Sequence, residues 1–125
     1  MSWALTSSRA AGPALTPRIP SFFARAQNLR LAHSTLVPFS STRRSDSRAE
    51  EDLNLQALLQ AKTKVVTAVG KAWDEQVTRV LETTLEENLS MIADSTSYLK
   101  AKGLRVFFDA EHFFNGYKSN PEYAL

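Results

Sequence analysis

Two short apolar runs bound the folds open to this chain: VVTAV at residues 65–69, closed by Gly70, and LRVFFD at residues 104–109. The first is rich in β-branched residues and neither alternates strictly between apolar and polar positions, so both read as buried parallel strands. Parallel neighbours need a crossover rather than a tight turn, and helical sequence separates these two.

That helical sequence carries its own start and stop signals. Residues 49–61 open with Glu50, Glu51 and Asp52, which favour the positive end of a helix dipole, and continue with Leu53, Leu55, Leu58 and Leu59; residues 62–64 close the segment. Residues 76–81 read as a short helix. Thr84 followed by Glu87 is a capping-box pattern, and Leu85, Leu89, Ile92 and Leu99 carry an apolar stripe to Gly103. Upstream, SFFARAQNLRL at residues 21–31 predicts an amphipathic helix capped by Ser21, with Phe22, Phe23, Ala26, Leu29 and Leu31 on one face. Residues 35–39 predict a short strand interrupted in its donors by Pro38, and residues 40–48 a polar loop. Downstream, Asn115 and Gly116 form a turn signal, and Asn120 caps a last helix with Pro121 in its first position. Helices alternating with strands in this way predict a parallel α/β architecture with right-handed crossovers. Three strands cannot close a barrel, which takes about eight, so the chain is expected to be a piece of a larger α/β unit.

Composition excludes several chemistries. The 125 residues include no cysteine, and His33 and His112 are the only histidines, so thiolate nucleophiles, disulfides and sulfur-ligated zinc are ruled out. No apolar run approaches the roughly 18–20 residues of a transmembrane helix, and no membrane partner is expected. Residues 1–45 hold six arginines and no acid, whereas the remainder holds nine basic against thirteen acidic residues. An acid-free, Arg- and Ser-rich start resembles an organellar transit peptide in composition. Its arginines are spread out and lack a pattern of stacking aromatics, so nucleic acid is not expected as a partner. Residues 1–20, with Pro13, Pro17, Pro20 and Gly12, predict a disordered segment; residues 21–125 form the α/β part.

Asp109, Glu111 and His112 lie just past the second apolar run, where α/β enzymes place their sites. Alternation puts Asp109 and Glu111 on one side of a continuing strand and His112 on the other, so a single metal held by all three needs a local turn. Glu111 is the strongest candidate, as a general base; Asp109 and His112 are candidates for substrate contact, against the plainer reading of a solvated loop. Arg43 and Arg44 follow the first predicted strand and offer planar forks of donors for a carboxylate or phosphate, or else a solvated pair. Gly70-Lys71 lacks the rest of a phosphate-binding loop. Trp73, Phe113, Phe114 and Tyr117 read as packing rather than as a pocket lining.

The stretch VFFDAEHFFNGYKSNPEYAL, with FSSTRR upstream and the intervening residues 50–104, resembles the citramalate synthase branch of the isopropylmalate and homocitrate synthase family. The likeness reaches back to SFFARAQNLRL, so it covers residues 21–125 and leaves only residues 1–20 for a transit role. The resemblance implies an incomplete TIM barrel of about three consecutive βα units. It also implies an acyltransferase that condenses acetyl-CoA with pyruvate or another 2-oxo acid and then hydrolyses the thioester, in branched-chain amino acid biosynthesis. A divalent metal, Mg or Mn, is implied for the family, held by an Asp beside an Arg in an opening strand motif and by two His of an HxH motif; none of these segments occurs here, so this chain is expected to bind no metal itself and to be inactive alone. Glu111 is similar to the family's acidic residue on the middle strand, and Arg43 and Arg44 match its FGSTRR. The family usually has Gly at Ser40, His at Gln76 and Asp at Asn115. A different expectation is a non-enzymatic module whose exposed strand edges pair with a full-length homologue or with a second copy.

Overall fold

The computed structural model describes residues 18–125; residues 1–17 lie outside it, and with them most of the segment read as disordered and transit-like. Its elements run α1 (Arg18–Ala26), β1 (Phe39–Ser41), α2 (Leu53–Gln60), β2 (Val65–Lys71), α3 (Asp74–Arg79), α4 (Leu85–Ala101), β3 (Arg105–Glu111), α5 (Phe113–Ser119) and α6 (Pro121–Ala124). The three strands form one parallel sheet in the order β1-β2-β3.

The parallel α/β expectation holds, and the pleat explains where the core sits. Along β2, alternate residues Val66, Ala68 and Gly70 are buried while Val65, Thr67, Val69 and Lys71 are only half-buried. Val66 and Ala68 meet Leu55 and Leu58 of α2 and Leu99 of α4, with Val106, Leu104 and Tyr98 packed around them. Burying each of these branched side chains contributes about 1.5–3 kcal/mol, so one face of the sheet carries the stability. The opposite face carries Thr67, Val69 and Lys71 beside Phe107, Asp109 and Glu111.

Helix ends follow local chemistry. Asp52 is not in the first turn of α2 but caps it: its wholly buried carboxylate accepts from the N–H groups of Asn54 (2.9 Å) and Leu55 (3.3 Å). Thr84 caps α4 as predicted, its hydroxyl accepting from the Glu87 N–H at 3.1 Å. The second half of the capping box is absent, because the Glu87 carboxylate is turned to Arg43. Asn120 caps α6 through the Tyr123 N–H at 3.1 Å.

Three expectations are corrected. α1 begins at Arg18, so Ser21 lies inside the helix rather than at its cap; the helix ends at Ala26, and Leu29 and Leu31 fall beyond it and are exposed. Ala26 alone of the predicted apolar face is buried. The first strand is Phe39–Ser41 rather than residues 35–39. Pro38 enters the ladder only as an acceptor, its carbonyl taking the Thr67 N–H at 2.9 Å, which is the one role proline keeps beside a strand. Asn115 and Gly116 are inside α5, not in a turn. A Cβ on Gly116 would overlap the Ala72 carbonyl oxygen and lie 2.8 Å from its carbon, so glycine is what lets α5 lie against the end of β2.

Candidate functional site at the carboxyl end of the sheet

All three strands are parallel, so their carboxyl ends, and the loops that leave them, meet on one edge. A cavity of about 340 Å³ opens there, lined by the β1 loop (Ser41, Thr42, Arg43, Arg44, Ser45 and Asp46), the end of β2 (Val69, Gly70 and Lys71) and Glu111 of β3.

Lys71 and Glu111 are register partners, the last pair of the β2–β3 ladder, so their side chains leave the same face side by side. The Lys71 Nζ donates to Glu111 Oε2. Lys71 is 19% exposed at its side chain and Glu111 40%, which leaves the carboxylate reachable from the cavity. The main chain behind the pair is braced: the Lys71 carbonyl accepts from Asn88 Nδ2 of α4 at 2.9 Å, and the same amide donates to the Tyr123 hydroxyl of α6 at 2.6 Å. Burial first, and then the charges of Asp74 and Glu86, hold the Tyr123 hydroxyl pKa above its ordinary value against the pull of the Asn88 hydrogen bond. Asn88 is wholly buried, and among the described residues its Oδ1 is the buried side-chain atom left without a hydrogen bond.

The strand continues to Glu111, so Asp109 and Glu111 do share a face, with Asp109 opposite Val69 in the register. His112 then takes a left-handed backbone, φ 60°, and opens α5. That local turn carries its imidazole back toward the cavity edge, with Nε2 at 4.0 Å from Glu111 Oε1 and the ring edge-on to Trp73 at 5.8 Å between centroids. Trp73 thus contacts a site residue; Phe113 packs on Phe114 and Tyr117, but those two are 78% and 48% exposed, so they do not take up the buried packing role read for them.

The two arginines part company. Arg43 is 7% exposed, and its guanidinium donates to Glu87 Oε1 (2.9 Å), to Asp94 Oδ2 (2.9 Å from Nε) and to the Arg44 carbonyl (3.0 Å). Its N–H donates to the buried Ser95 Oγ at 2.8 Å. Burial pulls its pKa down, and the hydrogen bonds and charges of Glu87 and Asp94 outweigh that pull, so it stands above the ordinary value and the charge is permanent. Arg43 is therefore a brace between the β1 loop and α4. Arg44 differs: its side chain is 59% exposed, and among the described residues the carboxylates within reach, Asp46 at 3.9 Å and Asp52 at 4.0 Å, sit at the outer limit of pairing. Its backbone N–H is fixed by Asp52 Oδ2 at 2.9 Å, so the loop is held while Arg44 lines the cavity with an exposed side chain.

Sequence reasoning passed over Lys71, Asn88 and Tyr123. Lys71 was weighed only as part of a phosphate-binding loop; its pairing comes from the register that sets β2 beside β3. Among the described residues no group of three or more His, Asp or Glu side chains could hold a metal ion. With Glu111 paired to Lys71, these residues by themselves do not fit the Mg or Mn centre that the family implies.

Compared with known proteins, the chain is 52% identical over 113 residues to an (R)-citramalate synthase of Streptomyces coelicolor, 50% to one of Aquifex aeolicus and 47% to one of a Synechocystis strain. The chain is a partial match to the citramalate synthase family. The match covers 90% of this chain and 21% of each relative, so the chain spans about a fifth of the length of the curated relatives it matches. No family model matches the chain. The likeness takes in the cavity-lining loops, so its arginines, Lys71 and Glu111 stand within a segment shared with citramalate synthases. No helix among the described residues is long and apolar enough to cross a membrane.

Proposed function

We propose that this chain is the middle section of a TIM-barrel acyltransferase of the citramalate synthase type, with its three strands contributing consecutive barrel strands and the cavity at their carboxyl ends contributing to the active site. The observation that carries the reading is the placement of Glu111, Lys71 and Arg44 around one cavity in a segment 52% identical to a citramalate synthase. In a barrel the uncovered face bearing Thr67, Val69 and Phe107 would look inward and the helix-covered face outward; the alternate burial along β2 supports this reading.

The substrates proposed are acetyl-CoA and pyruvate. The Glu111 carboxylate accepts a proton from the acetyl methyl group, the methyl carbon forms a bond to the keto carbon of the 2-oxo acid, and the keto oxygen becomes the alcohol by taking up a proton. Water then cleaves the thioester to release CoA. Arg44 meets the 2-oxo acid carboxylate, since among the described residues its fork of donors in the cavity has carboxylates only at 3.9 Å and 4.0 Å. Asp109 and His112 flank Glu111, and substrate contact is proposed for His112, whose Nε2 lies 4.0 Å from Glu111 Oε1.

Two experiments test this together. The chain alone, given acetyl-CoA, pyruvate and Mg or Mn, is expected to release no CoA above a no-protein control. Grafted in place of the matching 113 residues of the Streptomyces coelicolor enzyme, it is expected to support citramalate formation. A graft that folds and turns nothing over would contradict the reading.

A second reading has its own observation. β1 and β3 are the edges of the sheet, and Phe107 and Phe108 on β3 are 48% and 43% exposed. An open edge with apolar side chains pairs readily with another strand, so the chain would act as a binding module for a full-length homologue. Co-purification at fixed stoichiometry supports that role, and a monodisperse monomer that ignores the homologue contradicts it.

A further inference from the structure

We propose that Lys71 and Arg44 form a carboxylate-binding pair, and that Glu111 occupies the Lys71 ammonium only until an anionic ligand displaces it. Three observations converge. Lys71, Arg44 and Glu111 line the same cavity of about 340 Å³, large enough for a small 2-oxo acid. The third cation lining it among the described residues, Arg43, has its guanidinium committed to Glu87 and Asp94, which leaves two for a ligand. Of those two, Arg44 has carboxylates only at 3.9 Å and 4.0 Å among the described residues, and one of them, Asp52, is already committed to capping α2 and to the Arg44 N–H.

The Lys71–Glu111 pair is a pair of unequal mobility. The Lys71 backbone is pinned through its carbonyl by Asn88 and sits in the ladder, yet the ammonium ends a flexible stem of methylenes and can swing toward Arg44. Glu111, 40% exposed at its side chain, keeps water on its carboxylate when its partner leaves, so it loses little in the exchange. A carboxylate ligand gains two charge-assisted contacts in exchange for one. The consequence is chemical: the group that holds Glu111 in the empty cavity is the group the substrate removes, so the base is released when its substrate is in place. The inference rests on the cavity being a 2-oxo acid site, as proposed above, and it names the residues that recognise the acid and the order of events.

The test uses the full chain labelled with ¹⁵N at lysine and arginine side chains, titrated with pyruvate and, separately, with its uncharged analogue pyruvamide. Pyruvate is expected to move the Lys71 Nζ and Arg44 Nε resonances along one saturation curve, and pyruvamide to leave them in place. Lys71→Met and Arg44→Met should each weaken binding about tenfold or more, the loss of one hydrogen bond to a charged group, with Lys71→Arg retaining it. Glu111→Gln should tighten binding, by up to about tenfold if the pair is closed in most empty molecules. A dispersed spectrum identifies the variants that remain folded. Weaker binding in Glu111→Gln, an unresponsive Lys71 signal, or equal binding of pyruvamide would overturn the proposal. Binding with these signs by a chain whose graft is inactive would leave this inference standing and remove the catalytic reading; an active graft with a silent Lys71 would do the reverse.

Discussion

The Arg43 guanidinium in the loop after β1 donates to the Glu87 carboxylate in the first turn of α4 at 2.9 Å, joining residues 44 apart in sequence. With Asp94 one further turn pair along the same helix, it fastens the cavity's loop to the helix that covers β2 and β3. Arg43→Ala should therefore destabilise the chain by about 1–3 kcal/mol, less than the loss of a fully buried pair because Glu87 and Asp94 can rehydrate. Arg43→Lys should recover only part of this, since an ammonium cannot span both acids as the fork does. Urea unfolding of the two variants beside the parent measures both.

Asp52→Ala should cost about 2–4 kcal/mol, combining a lost cap with donors left unmet in a buried place. The carboxylate serves Asn54, Leu55 and the Arg44 N–H at once. Asp52→Asn should be milder, because its amide oxygen can still cap α2. Chemical denaturation gives the stabilities, and amide exchange at Arg44 should rise in both variants.

Gly116→Ala should destabilise by at least about 1–3 kcal/mol, the usual cost of overpacking, because α5 must move off Ala72. The movement would carry His112 with it, as His112 opens that helix. Thermal melting reads the loss, and a changed His112 imidazole signal reads the displacement.

Tyr123 gives the chain an alkaline weakness. Its hydroxyl pKa is raised in the fold, chiefly by burial, so the neutral form is the one the fold accommodates. Stability from this group is fully present below the ordinary tyrosine value of about 10 and is lost as pH rises through the folded value. Tyr123→Phe should be less stable near neutrality, having lost the Asn88 contact, yet show a flatter decline above about pH 10. Unfolding free energies measured from pH 7 to 11 would show the two curves converging.

The sequence was most legible where structure is local. The β-branched run of β2, the apolar run of β3, and the caps Thr84 and Asn120 all act within a few residues, and each is found in place. What was hidden depends on distant partners. Nothing near Arg43 announces Glu87 or Asp94, so a side chain read as either a ligand for substrate or a solvated arginine is found bonded to both acids. The Asn115-Gly116 pair carries a turn signal that α5 overrides because packing against Ala72, not local preference, selects the glycine. Residues 21–31 show helical periodicity beyond Ala26, but the helix stops there and Leu29 and Leu31 are exposed. At the site, alternation correctly paired Asp109 with Glu111, whereas Lys71 became visible only with the register that sets it beside Glu111.

The most direct test of the central claim is the steady-state kinetics of Glu111→Gln in the graft described above, with the unsubstituted graft as reference. If Glu111 is the base and Lys71 its displaced partner, kcat should fall by about 10²–10⁴-fold while the KM for pyruvate stays level or decreases. A Glu111→Gln graft that keeps its kcat, or one whose only defect is a raised KM for pyruvate, would contradict the account.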